Sequence, residues 1–349
     1  MSRFEGGAKE IKDATIYDVA RRAGVSAATV SRALSGSQLV AAETLRRVES
    51  AAAELGYLPN AAAKELRTGQ HDLVAVLVPD IANPFYAQLI RRIQDGVEFA
   101  GIAVIVCSTD NRSDREVDYL ELIHARRAKA VLCGTAGASP ASNDMLRRLL
   151  AKGVRVVTMG HRLDHPQVTS VASDSKGGMR KAVQHLVAFG HKRIGYIGFS
   201  APSVGGSREA GFRAAVLDAL GDPDPPVTKG AGDPVSAQTA VRGWIDQGRL
   251  PSAIMAGNDL MAMGALLSLR DRGVRVPENV SVVGFDDIDL AAFTRPTLTT
   301  VRQPIEQMAA CVAQLFADAR PGEAAPGGPH IFPAELIVRE STGPPPSTP

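Results

Sequence analysis

A chain of 349 residues, 45% of them hydrophobic, can bury a sizeable core and suggests two or three folding units. No apolar run reaches the length of a membrane span, and MSRFEGGAKEIKD lacks the apolar stretch of a signal peptide, so a cytoplasmic protein without a membrane partner is predicted. The formal net charge is +2, and all of it falls in residues 1–70, where ten Lys and Arg face eight Asp and Glu; charge permits a nucleic-acid partner without requiring one.

Residues 1–14 are polar and unpatterned and are predicted to be a disordered arm. Thr15 to Gly36, TIYDVARRAGVSAATVSRALSG, reads as two short helices around a tight turn. Thr15 can cap the first, with Asp18 closing a capping box, and Ile16, Val19 and Ala20 lie on one face. The helix runs out at Ala23-Gly24, and Ser26 can cap a second helix through Leu34. In that helix Val30, Ala33 and Leu34 face inward, leaving Ala27, Ala28, Ser31 and Arg32 outward. This layout is either a helix-turn-helix, whose second helix enters the major groove, or a plain helical hairpin in a core. The short outward residues around one long Arg favour close approach to DNA. A third helix follows over Ala42 to Leu55, ended by Gly56, and Tyr57-Leu58-Pro59 is extended. Residues 60–67, NAAAKELR, favour helix by composition but are too short to form it alone in water; linker and partner-dependent helix are both open here.

From Leu73 the pattern becomes strands alternating with helices. LVAVLVPD, AVIVCSTD, AVLCGTAG, VRVVTMG, RIGYIGFS, PSAIMAGND and VSVVGFDD are strands with helix-period stretches between them, which predicts two parallel-sheet α/β units. Polar residues cluster at strand ends, where open α/β sheets bind ligands. Pro321 to Pro329 reads as a loop, His330 to Arg339 as one last strand, and 342–349 as a disordered tail. Cys107, Cys133 and Cys311 are far apart, and the first two lie in apolar strands, so buried thiols are expected.

The string TIYDVARRAGVS..TVSRALSG, continued by Leu55-Gly56-Tyr57-Leu58-Pro59-Asn60, closely resembles the DNA-binding head of the lactose-repressor (LacI/GalR-type) family of bacterial transcription regulators, and the resemblance runs from Thr15 to Ser341. It implies an all-α helix-turn-helix head at 15–59, a hinge helix and linker at 60–70, and a two-lobed α/β sensor of the type I periplasmic-binding-protein kind at 71–341. The lobes would comprise about 72–171 with 302–331, and 172–300 with 332–341. By the resemblance, Arg32 reads a guanine, Ala27 and Ala28 hold the other specificity positions, and Thr15, Tyr17, Ser26, Thr29 and Ser31 meet phosphates. The hinge segment places Asn60, Ala63, Leu66 and Arg67 at the minor groove, Leu66 as a wedge between base pairs. The implied partners are double-stranded DNA with a palindromic operator, a small-molecule effector, and a second copy of the chain, with a tetramer as the larger alternative.

For the effector cleft the resemblance nominates an aromatic of Asn83-Pro84-Phe85-Tyr86; Phe85 is placed in the cleft, and Tyr86 is left open between cleft and core. Arg208 of SREAGF matches the family's R-x-x-G-F arginine, whose planar donors suit hydroxyl pairs or a carboxylate. Asn258 and Asp259 in AGNDLMAMGAL, Asp286 in GFDD, and Asp174 complete the set. Ser175 stands where the family usually has Asn, and Ala231 to Pro234 lacks the stacking Trp of some sugar-binding relatives. A sugar-type effector is expected, with a nucleobase as the alternative.

Enzymatic chemistry finds little support. Gly198 to Gly206 lacks the spacing of a phosphate cradle, the histidines lack metal-ligand spacing, and His191 at the joint FGHKRIGYIG reads as structural. No catalytic residue, metal or cofactor is expected. The competing classes are a ligand-binding module without a DNA role, separable by a gel-shift on a palindromic site, and a Rossmann-like enzyme, which would turn over a bound sugar.

Overall fold

The computed structural model describes residues 14–34, 40–57, 73–134, 139–160, 163, 165–200, 206–320 and 327–346. The chain divides into two compact units, residues 1–70 and 71–349. The arm before Ala14 and the segment carrying Asn60, Ala63, Leu66 and Arg67 lie outside the described residues.

Among its described residues the first unit holds three helices: α1 (Ile16–Ala23), α2 (Ala27–Leu34) and α3 (Ala42–Glu54). Thr15 and Asp18 form a reciprocal capping box, the Thr15 N–H donating to Asp18 Oδ2 at 3.0 Å. Gly24 takes the left-handed conformation at the turn (φ 65°), and a Cβ there would lie 2.9 Å from Arg47 Nη2, a side chain that also donates to Ala23 O. Ser26 Oγ then accepts the Thr29 N–H at 3.1 Å and starts α2. Val19, Ala20, Ala23, Val30, Ala33, Val48, Ala51 and Ala52 form the small core.

Among its described residues the second unit contains two six-stranded sheets. Sheet one is built from β1 (Leu73–Val78), β2 (Ala103–Ser108), β3 (Ala130–Cys133), β4 (Arg155–Met159), β5 (Thr169–Ser173) and β11 (Gly328–Phe332), in the order β11-β5-β4-β3-β1-β2 with every pair parallel. Its helices α4 (Pro84–Val97) and α11 (Ile305–Ala317) cover one face through Leu89, Ile93, Val312 and Phe316. On the other face, α5 (Ser113–Ala125) and α6 (Pro140–Ala151) pack Leu120, Ile123, Leu146 and Leu149. Burial on both faces is the reason the central strands read as unbroken apolar runs.

Sheet two runs β12-β10-β9-β8-β6-β7, from β6 (Ile194–Phe199), β7 (Val227–Gly230), β8 (Ala253–Ala256), β9 (Ser281–Asp286), β10 (Thr299–Arg302) and β12 (Glu335–Ile337); only β12 is antiparallel to its neighbour. α7 (Ser175–Ala188) and α8 (Gly206–Leu220) flank one face, α9 (Pro234–Asp246) and α10 (Asp259–Asp271) the other. The chain crosses between the sheets after β5, after β10 and after β11.

The structure departs from the sequence reading in three places. Strands β5, β7 and β10 (TSVAS, VTKG, TTVR) lack an apolar run and went unread, yet Thr169, Thr299 and Thr300 are fully buried, the last two with bonded hydroxyls. The single strand expected over His330 to Arg339 is two, broken at Pro333-Ala334, one in each sheet. The expected disordered tail begins packed: Thr342 and Gly343 are buried, and the Gly343 N–H donates to Ser281 Oγ at 3.0 Å. His191 closes that joint, bonding Ser252 Oγ at 2.9 Å through Nδ1, and Ser281 Oγ and Gly343 O through Nε2. A buried ring with both nitrogens engaged is structural, as the sequence suggested. Cys107 and Cys133 are buried, free thiols.

Candidate functional site

In the head, Val30 and Ala33 of α2 point into the core, while Ala28 and Arg32 are exposed and Ala27, Thr29 and Ser31 are partly so. Thr15 and Ser26 are exposed at the two helix starts, and Tyr17 is 70% exposed, so its ring is no part of the core. The capping hydroxyl of Ser26 also lies 2.9 Å from the Thr29 hydroxyl. The face is therefore made of small side chains, hydroxyls and one arginine, a composition that lets a helix backbone approach a groove.

In the sensor, a cavity of about 430 Å³ opens between the two sheets at the C-terminal ends of their strands. Sheet one contributes Asp80 after β1, Met159 at the end of β4 and Ser173 at the end of β5; sheet two contributes Phe199 at the end of β6, Asn258 after β8 and Asp286 at the end of β9. Ligand sites gather there because each parallel strand leaves a loop and a helix start at that edge.

A buried polar knot forms the floor. Arg208 Nη2 lies 3.3 Å from Asp286 Oδ1, with the two side chains 15% and 3% exposed. Arg208 also donates to Gly257 O, and its guanidinium carbon stacks 3.8 Å above the Phe285 ring centroid. Gln303 Nε2 donates to the same Asp286 oxygen at 2.7 Å, while Ser173 Oγ donates to Gln303 Oε1 at 2.8 Å. A hydrogen-bond chain thus links Ser173 of sheet one, through the crossover residue Gln303, to the arginine of sheet two. Burial pushes the Asp286 carboxyl up to about 6, against the opposing pull of Arg208 and Gln303. Asp286 and Asp287 both adopt positive φ (123° and 57°), a strained pair held by Arg302 and Arg339, each 2.7 Å from an Asp287 oxygen.

Most of the expected effector residues come together. Tyr86, Asp174, Arg208, Asn258 and Asp286 all border the cavity. Asn258 caps α10 through the Met261 N–H and donates to Gly232 O at 2.9 Å, and Asp174 caps α7 through the Gly177 N–H at 2.8 Å. Phe85 borders the cavity too but is 3% exposed and packs in the sheet-one core, meeting Tyr86 edge-on at 5.1 Å. Tyr86, partly buried, is the ring that borders the cavity beside the polar knot, and burial raises its hydroxyl above the usual tyrosine range. Asp259 does not reach the cavity. It is fully buried, taking the Thr300 hydroxyl at 2.5 Å and the Ile288 N–H at 2.9 Å, and so braces the strained turn behind Asp286. Burial, then the nearby Asp286 charge, raises its carboxyl to about 7.

Asn83, Lys176, Phe199, Ser207 and Gln303 border the cavity without having been singled out in the sequence. Asn83 caps α4 through the Phe85 N–H at 3.0 Å, and a capping Asn before Pro at a strand end was a readable signal; Gln303 lies in an unread strand-to-helix joint and offered none.

Residues 15–60 match the family of bacterial regulatory proteins of the lacI type, and 183–342 match the periplasmic binding protein-like domain. The regulator DegA of Bacillus subtilis (strain 168) is 30% identical over 95% of this chain and 98% of its own. The chain belongs to the LacI family of bacterial regulatory proteins. The lac repressor dimer bound to operator and the anti-inducer ONPF superposes with a TM-score of 0.82 at 27% identity, over 95% of this chain and 100% of the other. A CelR regulator in complex with cellobiose superposes at 0.69 with 31% identity, over 94% and 99% of the two chains. This LacI-family protein is a DNA-binding transcription regulator with an effector-binding domain, and not an enzyme. Among the described residues no helix is long and apolar enough to cross a membrane.

Proposed function

We propose that this regulator is a repressor of carbohydrate-related genes, acting in the cytoplasm as a homodimer on a palindromic operator, with a saccharide as its effector. The head would extend through residue 59, the hinge through 70, and the sensor from 71. The observation that carries the effector reading is the charge balance of the cavity wall. Asp80, Asp174 and Asp286 face Lys176 and Arg208, so acids are not outnumbered and an anionic ligand gains little. Fixed amides, carboxylates and a guanidinium beside the Tyr86 ring suit vicinal hydroxyls and the C–H face of a sugar. The CelR relative, complexed with cellobiose, supports the same class.

Effector bound between the sheets would favour one spacing of the lobes, and the crossovers would carry that change toward the head. Coupling of this kind is reciprocal, so operator DNA alters effector affinity by the same factor. The test is a thermal-shift panel of neutral sugars, sugar phosphates and nucleosides on the whole protein. A sugar at a hundred times its dissociation constant stabilises by about 2.7 kcal/mol, a shift easily resolved. A response to nucleosides or to sugar phosphates alone would overturn the saccharide assignment.

For the head, Arg32→Ala should cost about 1–3 kcal/mol per contact and relax preference at one base pair per half-site, read by binding to a duplex series varied base by base. Equal weakening on every duplex would move Arg32 to a phosphate.

A further inference from the structure

The N-terminal edge of sheet one lies opposite the effector cavity and carries charge that neither operator reading nor effector binding uses. α5 is capped by Arg126, followed by Arg127 at φ 51°. The Arg127 N–H donates to His124 O at 3.1 Å and the Ala128 N–H to Ile123 O at 3.2 Å, the usual closure of a helix by a left-handed residue. Helices α1, α3, α6, α7, α8, α9 and α10 all make that closure with glycine, at φ between 61° and 97°. Among the described helices α5 alone places a long side chain there, where an L residue is strained. A cation near a helix C-terminus is ordinarily explained by the helix dipole, but Arg126 already answers that, and a glycine at 127 would relieve the strain.

Both guanidinium groups are exposed, and neither makes an ion pair or hydrogen bond among the described residues. By contrast Arg112, Arg115 and Arg147, elsewhere on α5, α6 and their flanks, are each paired with a nearby aspartate. The basic run continues along the edge. Lys129 immediately precedes β3, its N–H donating to Leu73 O at 2.9 Å, and exposed Lys152 caps the neighbouring α6. The described acids nearest in the chain are Glu121 in α5, Asp95 in α4 with Glu98 just after it, and Asp318, which accepts from Gln314 at 2.9 Å.

Leu73 is also where the sensor chain begins after the head: only residues 58–72 separate it from Tyr57. Fifteen residues reach about 54 Å at most, at about 3.3–3.6 Å per residue. A duplex held by the head offers one phosphate charge per about 1.7 Å of axis within that reach. We infer that the Arg126–Lys129 edge of the sensor grips the DNA phosphate backbone beside the site read by the head, with Arg126 and Arg127 as the contacting side chains. The inference rests on the assignment of the chain as a DNA-binding regulator.

The test compares the whole wild-type protein with Arg126→Ala/Arg127→Gly and with Arg126→Lys/Arg127→Lys. Glycine keeps the left-handed turn, so the first variant should fold, with an unchanged or higher melting temperature. Binding is measured against salt on a duplex selected by the wild type from a random pool, and on a scrambled duplex of the same composition. Each lost phosphate contact should reduce the log–log salt slope by about 0.9, or about 1.8 per protomer for the pair. Affinity at low salt should fall at least about tenfold, by the same factor on both duplexes, because phosphate contacts carry no sequence information. The lysine variant should retain most of the slope. A wild-type slope in the Ala/Gly variant overturns the inference while leaving operator reading intact, and so does a loss confined to the selected duplex. Failure of the wild type to bind either duplex would remove the DNA-binding assignment along with it.

Discussion

Replacing Arg208 with alanine is expected to abolish the effector response and to destabilise the sensor by about 3–5 kcal/mol near neutral pH, the usual cost of leaving a buried charge without its partner. Asp286 is 3% exposed and keeps only neutral donors, Gln303 at 2.7 Å and Asn83, once the guanidinium is gone. The variant also empties the space above Phe285 and strips Gly257 O of a donor. The penalty should shrink at pH 5, because the Asp286 carboxyl, already raised to about 6, is then mostly protonated and needs no counter-charge. Adding Asp286→Asn to Arg208→Ala should recover much of the stability but none of the effector binding. Denaturant unfolding at two pH values, with calorimetry for the effector, separates these effects. A single variant as stable as the wild type at pH 7.5 would mean that the pair is not the charge pivot of the cavity. Arg208→Lys should fall between, since an ammonium keeps the ion pair and loses the planar stack and the second bond.

The second large effect is expected from Asp259, whose carboxyl is raised to about 7 by burial. The sign follows from linkage: below about pH 4 both folded and unfolded states are protonated, and the contribution is fully present. Between about pH 4 and 7 the unfolded chain releases the proton while the folded protein keeps it, so stability declines as pH rises. At about 1.36 kcal/mol per unit, the loss from this group between pH 5 and 7.5 is on the order of 2–3 kcal/mol. His185 and His191, whose burial lowers them, work in the opposite sense over the lower part of that range, so the measurement is a difference between proteins. Asp259→Asn preserves the shape, and the Thr300 hydroxyl can turn to accept from the amide while the carbonyl still takes the Ile288 N–H. The variant should lose less stability than the wild type from pH 5 to 7.5, with the gap widening as pH rises. Parallel stability curves for the two proteins would show that Asp259 does not bind a proton in this range.

Elements closed by local chemistry are legible in the sequence. The Thr15–Asp18 box, the turn at Gly24 and the Ser26 cap can be read because each is closed within a few residues. The same holds for the apolar strands, whose burial on both faces leaves an unbroken run, and for Arg208, Asn258 and Asp286, which stand in strings that match a family pattern at strand ends. Tertiary structure decided the rest. Strands β5, β7 and β10 are rich in Thr and small residues, and they are strands because neighbouring strands satisfy their backbone, while the Asp259 carboxylate and Arg339 O take the hydroxyls of Thr300 and Thr299. The segment 328–337 is two strands rather than one because each half pairs with a different sheet. Asp259 and Asn258 are adjacent in the chain, yet the helix start that turns Asn258 to the cavity sends Asp259 behind it, onto Thr300 and Ile288. Gln303 joins Ser173 to Asp286 across 130 and 17 residues of sequence, a link no local pattern encodes, because only the folding of both sheets brings those three side chains within hydrogen-bond distance.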